Sequence, residues 1–237
     1  MMKKPYLKKI RKIGNYTAWL VDGNYVRKNI DEEFTNYGHH YRFRIIPENE
    51  FWIDHENVAG EEKYYIDNML AIMKSIKKGK TYNEAVLIAE KVEKTERKKS
   101  KLAKRAHKKL IHGKDSLKDI YKKKIKTKNC QLKVWIVDGE FVRDEFFIDF
   151  TEGGHDKVYH FIPHNEIWID NDVAPKERNF VLLHEIHERN LMAKGWEYER
   201  AHADSSHIEF FCRHHPKKTR VLLNREFKKL SKIKGKN

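Results

Sequence analysis

The sequence predicts an α+β protein made of a tandem duplicated module. Each module is a small, mainly antiparallel sheet followed by two helices, with a basic helical connector between the modules and a basic C-terminal helix. Three observations carry this expectation. Shifted by 116 positions, residues 19–54 fall on residues 135–170 without a gap, and 17 of the 36 pairs are identical, Trp19/Trp135, Arg27/Arg143, His39/His155 and Asp54/Asp170 among them. The register returns at Lys78-Gly79 over Lys194-Gly195, Tyr82 over Tyr198, Ala85 over Ala201 and Glu93 over Glu209. Within each copy the apolar pattern changes from short alternating runs to helical spacing.

The elements follow in order. Val134-Trp135-Ile136-Val137, then Asp138-Gly139, then Glu140-Phe141-Val142-Arg143 reads as two strands around a tight turn, and Asp22-Gly23 repeats the signal. A glycine-bearing loop, Glu152-Gly153-Gly154-His155, leads to two strand-like runs, Val158 to Ile162 and Glu166 to Asp170, separated by Pro163-His164-Asn165. A helix is expected from about Lys176 to Lys194, with Gly195 as its C-cap, and a second from about Glu197 to near Cys212. Pro216 ends that pattern, and a basic helix is expected over 217–232. In the first copy the helix beginning near Tyr82 is expected to continue towards the connector, where Ala103 to His107 is helix-compatible. The domains are accordingly 13–94, a connector 95–131, a second module 132–213 and a tail 214–237.

Charge is unevenly placed within the net +15. Residues 91–128 hold 17 Lys/Arg against 4 acids, residues 132–212 hold 8 against 17, and residues 213–237 hold 10 against one. The connector and tail are therefore candidate contacts for a polyanion such as nucleic acid, made through phosphates, since lysines outnumber arginines 37 to 13. Two widely spaced cysteines, Cys130 and Cys212, exclude a disulfide framework and a cysteine zinc site. No apolar run reaches the ~18 residues of a membrane span, and Met1 to Tyr6 lacks a signal-like apolar stretch, so an intracellular protein is expected.

Chemistry concentrates in the second copy, at Leu183-His184-Glu185-Ile186-His187-Glu188, where the first reads Asp67-Asn68-Met69-Leu70-Ala71-Ile72. At about 100° per residue, with His184 at zero, Glu188 stands near 40° and Glu185 near 100°. His184 and Glu188 thus share a face one turn apart, the spacing by which a helix gives two ligands to one cation, and Glu185 projects beside them as a proton acceptor. A third ligand is expected from the next helix: His202 first, with Glu209 as an alternative ligand or the partner that orients a histidine. His187 is assigned first to the rim or support of the site, with a place among the ligands as the alternative. His155 recurs as His39 and is assigned to bracing a loop, while His207 and the His214-His215 pair are expected to face elsewhere.

The segment from Glu166 to Asp170 through His184-Glu185-Ile186-His187-Glu188, Gly195, Tyr198, Ala201-His202 and Glu209 resembles small prokaryotic and phage proteins related to the zincin metallopeptidases. In these a strand ending in Asp leads into an H-E-x-x-E helix, then G-x-x-Y-x-x-A-H and a later Glu. The resemblance covers about 132–212 well and 16–94 as a decayed copy. It implies a divalent metal, zinc first, held by His184, Glu188 and His202, with Glu185 as base and a peptide or protein as substrate. Two other functions fit the composition: a non-catalytic nucleic-acid-associated protein in which a metal or the His/Glu cluster is structural, and a paired-module interaction scaffold.

Overall fold

The computed structural model describes residues 4–56, 60–99, 120–127 and 132–232. Most of the connector, including Ala103 to His107, lies outside the described residues. The chain divides into two compact units, Met1–Ser116 with Glu140–Asp149, and Leu117–Gly139 with Phe150–Asn237.

The first unit contains β1 (Tyr6–Ile13), β2 (Tyr16–Val21), α1 (Gly23–Asn29), β3 (Tyr37–His39), β4 (Glu50–Asp54), α2 (Glu62–Lys77) and α3 (Tyr82–Lys98). Its sheet runs β1-β2-β4-β3; β2 and β4 are parallel and the other two pairings antiparallel. α4 (Gly139–Glu145) follows the sixth strand and, from Glu140 onward, belongs to this unit. The second unit contains β5 (Tyr121–Ile125), β6 (Lys133–Val137), β7 (Gly153–His155), β8 (Glu166–Asp170), α5 (Arg178–Met192), α6 (Tyr198–His214) and α7 (Pro216–Lys232). Its sheet repeats the order, β5-β6-β8-β7, and the register: Trp135 pairs with Trp168 as Trp19 pairs with Trp52. The protein is thus a mixed α+β duplication, two four-stranded sheets each followed by helices.

Two local expectations are corrected. The Asp-Gly pairs do not turn hairpins; they start helices. Asp22 accepts a hydrogen bond from the Tyr25 N–H at 2.9 Å, which makes it an N-cap. Glycine is needed next because a Cβ on Gly23 would fall on the Asp54 carboxylate, and one on Gly139 would fall on that of Asp170. The hairpin partner of β2 lies upstream instead, in β1, across a turn containing Gly14 at φ 57°. Val158 to Ile162 forms no strand either, because the N–H groups of Val158 and Tyr159 both donate to the His155 carbonyl, each at 3.1 Å, and fold the chain into turns.

The helices follow the apolar spacing closely. α3 starts with a complete capping box between Thr81 and Glu84. The loop after α5 passes through Gly195 at φ 89°, a backbone state that glycine adopts without strain. Pro216 is the first residue of α7, where its missing N–H has no partner to lose. α5 buries Val181, Leu182, Leu183 and Ile186 against Val134, Ile136, Ile167 and Ile169 of the sheet, with Cys212 and Leu223 closing the core. Each such aliphatic group contributes about 1.5–3 kcal/mol by leaving water, so the helix bearing the His/Glu motif is firmly seated.

Candidate metal centre in the second unit

α5 and α6 bring His184, Glu188 and His202 together. Glu188 Oε2 lies 3.4 Å from His184 Nε2 and 2.8 Å from His202 Nδ1, and the two imidazole nitrogens are 3.1 Å apart. Donors bound about 2.0–2.1 Å from one tetrahedral cation stand about 3.3–3.4 Å from each other, so this triangle needs only slight opening to enclose one. Two histidines and a glutamate form a donor set used by catalytic zinc. The three residues make a group able to hold a metal ion. His202 is the most open of them, with 36% of its side chain exposed against 12% for His184 and 4% for Glu188.

Glu209 settles which nitrogen of His184 faces the triangle. Its Oε2 lies 3.0 Å from His184 Nδ1, which leaves Nε2 aimed at Glu188 and His202. Arg213 holds Glu209 in turn, with Nε 3.0 Å and Nη2 2.6 Å from Oε1, and also pairs with Glu177. Burial opposes ionisation of Glu209, but His184 and Arg213 outweigh it and hold the carboxyl at about 2. Glu209 is thus the orienting partner of His184 rather than a member of the ligand triangle.

Glu185 stands beside the triangle, within the group formed with His155 and Glu188. Burial, and then the neighbouring Glu188 carboxylate, push it up to about 8. Space for it exists because residue 153 is glycine: a Cβ there would stand 3.0 Å from Val181 Cγ1 and 3.2 Å from Glu185 Oε1. Glu188 is held far below the usual carboxylate range; burial opposes this, and hydrogen bonds from His155, His184 and His202 overcome it. Burial likewise disfavours charge on His184, yet Glu188 and Glu209 raise its pKa well above the ordinary value, so the centre attracts positive charge.

His155 does more than brace a loop. It is wholly buried and its Nε2 lies 2.9 Å from Glu188 Oε1. The loop that carries it is clamped to α5 by Arg189, whose Nε and Nη2 lie 2.5 and 3.1 Å from Asp156. His187 faces away from the triangle. It bridges Asp204 at 2.7 Å and Glu226 at 3.1 Å, linking α5 to α6 and α7. His207, His214 and His215 are exposed; the last two lie against Phe210 and Phe211.

The residues that sequence reasoning missed are Glu177, Arg213, Asp204 and Glu226. For the first two a signal existed: Glu61 and Arg97 occupy the same places in the first copy. Comparison with protein-family models, curated proteins and solved structures finds no match.

Proposed function

We propose that the second unit is a divalent-cation-dependent hydrolase acting on a peptide-type carbonyl, with His184, Glu188 and His202 as the residues that hold the cation, zinc first. The observation that carries this reading is the triangle of donor atoms around Glu188 Oε2, built from two helices and backed at His184 by Glu209. A cation bound there would polarise the carbonyl and acidify an adjacent water. Glu185, which stands beside the triangle with His155 and Glu188, takes the proton from that water and returns it to the leaving amine. Glu209 and Arg213 keep the His184 ring in the orientation that turns Nε2 inward.

Elemental analysis of the purified protein beside its His184→Ala variant tests the reading. About one divalent cation per chain, lost in the variant, is expected; a wild-type protein that takes up no cation overturns it. Cleavage of a mixed peptide pool, abolished by a chelator and restored by zinc, is the matching activity assay.

A second reading concerns the tail. α7 exposes Lys217, Lys218, Arg220, Arg225 and Lys228, a basic face suited to the phosphates of a polynucleotide. The lysine-rich connector would add to it. No described helix is long and apolar enough to cross a membrane.

A further inference from the structure

The donor groups around Glu188 admit two arrangements. One is the triangle of His184, Glu188 and His202; the other is His155, Glu185 and Glu188, which shares the same carboxylate. Taken at face value this is a two-cation centre bridged by Glu188, with Oε2 serving one ion and Oε1 the other. The hydrogen bonding of His155 decides against it.

Nδ1 of His155 accepts the backbone N–H of Lys157 at 3.2 Å. A ring nitrogen that accepts a hydrogen bond carries no hydrogen, so in this geometry the imidazole bears its hydrogen on Nε2. That Nε2–H points at Glu188 Oε1, 2.9 Å away, and has no lone pair to offer a cation. The first unit shows where this tautomer comes from. His39, at the equivalent position, accepts the Tyr41 N–H at Nδ1, also at 3.2 Å, in a copy that has Ile72 where the second has Glu188. The loop therefore sets the ring's tautomer independently of the cluster. In the triangle the situation is reversed, because Glu209 takes the Nδ1 side of His184 and leaves the Nε2 lone pair inward.

We infer that His155 is a positioning residue: its Nε2–H occupies Glu188 Oε1, so that Glu188 binds through Oε2 alone and the centre holds a single cation, with Glu185 left uncoordinated. This rests on the metal-centre reading above and makes it more specific. The same hydrogen bond also fixes the rotation of the carboxylate about its long side chain, which lowers the entropy lost when Oε2 engages a cation.

Zinc titration of the full chain, followed by calorimetry and by metal analysis after dialysis, tests the inference in the wild type, His155→Ala and His155→Gln. The expected stoichiometry is about one in all three. Affinity should fall about 10–100-fold in His155→Ala, the usual cost of losing a group that orients a ligand. His155→Gln, whose amide supplies an N–H at the same reach, should recover most of that loss. Carbon and nitrogen NMR shifts of the His155 ring should report the Nε2–H tautomer with and without zinc, a readout that stands even if His155→Ala fails to fold. Two zinc ions in the wild type, falling to one in His155→Ala, would overturn the inference while leaving the metal centre intact. So would an Nδ1–H tautomer, or equal affinity in all three proteins. No zinc uptake by the wild type would overturn the metal-centre reading itself, and this inference with it.

Discussion

In the first unit Asn68 donates to Glu93 at 2.8 Å, Glu93 accepts from Arg97 at 2.9 Å, and Arg97 reaches Glu61 at 2.7 Å. In the second, His184 stands in the place of Asn68, Glu209 of Glu93, Arg213 of Arg97 and Glu177 of Glu61, and the same partners meet in the same sequence. What differs is what surrounds the head of this chain of bonds. The first unit fills that space with apolar groups: Met69 and Ile72 are core residues, and Tyr37 stacks on Tyr65 at 4.5 Å. The second has Glu185, Glu188, Gly153 and Val181 at those four positions. A brace that serves packing in one unit thus orients a candidate ligand in the other. The difference lies in six positions: imidazoles stand in place of Asn68 and Val86, carboxylates in place of Met69 and Ile72, and the smaller Gly153 and Val181 in place of two tyrosine rings.

The largest effect should come from Glu185, which has only Met69 as its counterpart. Glu185→Gln should lower turnover about 10²–10⁴-fold, while zinc content, measured on the same preparation, stays unchanged. Activity at the wild-type level would remove Glu185 from the chemistry. Putting the first copy's residue into the second is the next test. Gly153→Tyr drives a ring towards Val181 and Glu185, and a displacement of that size at a reacting group costs on the order of 100-fold in rate. A fully active variant would show that the cleared space does not matter.

The two arginines sharpen the comparison further. Arg97→Ala and Arg213→Ala each remove the guanidinium shared by two buried carboxylates, leaving Glu93 with Asn68, Glu61 with Arg143 and Glu209 with His184. The loss should approach the lower end of about 3–5 kcal/mol, readable by chemical denaturation. Only Arg213→Ala should also weaken zinc binding. Equal weakening by Arg97→Ala would break the distinction between brace and centre.

A smaller effect belongs to the second unit alone, where α7 is tied down by Glu226. Burial opposes ionisation of this carboxyl, but His187, Lys229 and Asn190 hold it at about 2 against an ordinary 4.5. It therefore contributes stability above about pH 4.5, lost as the pH falls through about 2. The sum is on the order of 2 kcal/mol after screening. His187 has the opposite sign. Burial works against its charge, but Glu226 and Asp204 raise its pKa above 6.5, so its share is present below pH 6.5 and fades as the pH rises through the raised value. Glu226→Gln should flatten the acid limb of a stability–pH curve, and an unchanged limb would refute the assignment. Least in energy per residue is the basic face of α7. Neutralising Lys217, Lys218, Arg225 and Lys228 should make the salt dependence of polynucleotide binding shallower, by about 0.9 in log–log slope for each phosphate that the variant leaves unneutralised. An unaltered slope would dispose of that reading.

Much of this was legible in the chain itself. The 116-residue shift gave two modules; the helical spacing gave α5 and α6 to within a few residues; and the i, i+4 interval put His184 and Glu188 on one face. Each of these is a local or periodic property, fixed by the geometry of a helix or by repetition. The role of Asp22-Gly23 and Asp138-Gly139 was not legible, because the same dipeptide serves a turn or a helix start, and the choice depends on Asp54 and Asp170 arriving from another strand. Nor could periodicity say that Glu188 meets His155, that His187 leaves the cluster for Asp204 and Glu226, or that Glu209 and Arg213 back His184. Those pairings join residues 14 to 39 positions apart in the chain or set one face of a helix against another. Sequence determined which side chains each helix offers; only the packing of helices and loop on the sheet decided which of them meet, because hydrogen bonds and coordination act over about 3 Å and chain order carries no such distance.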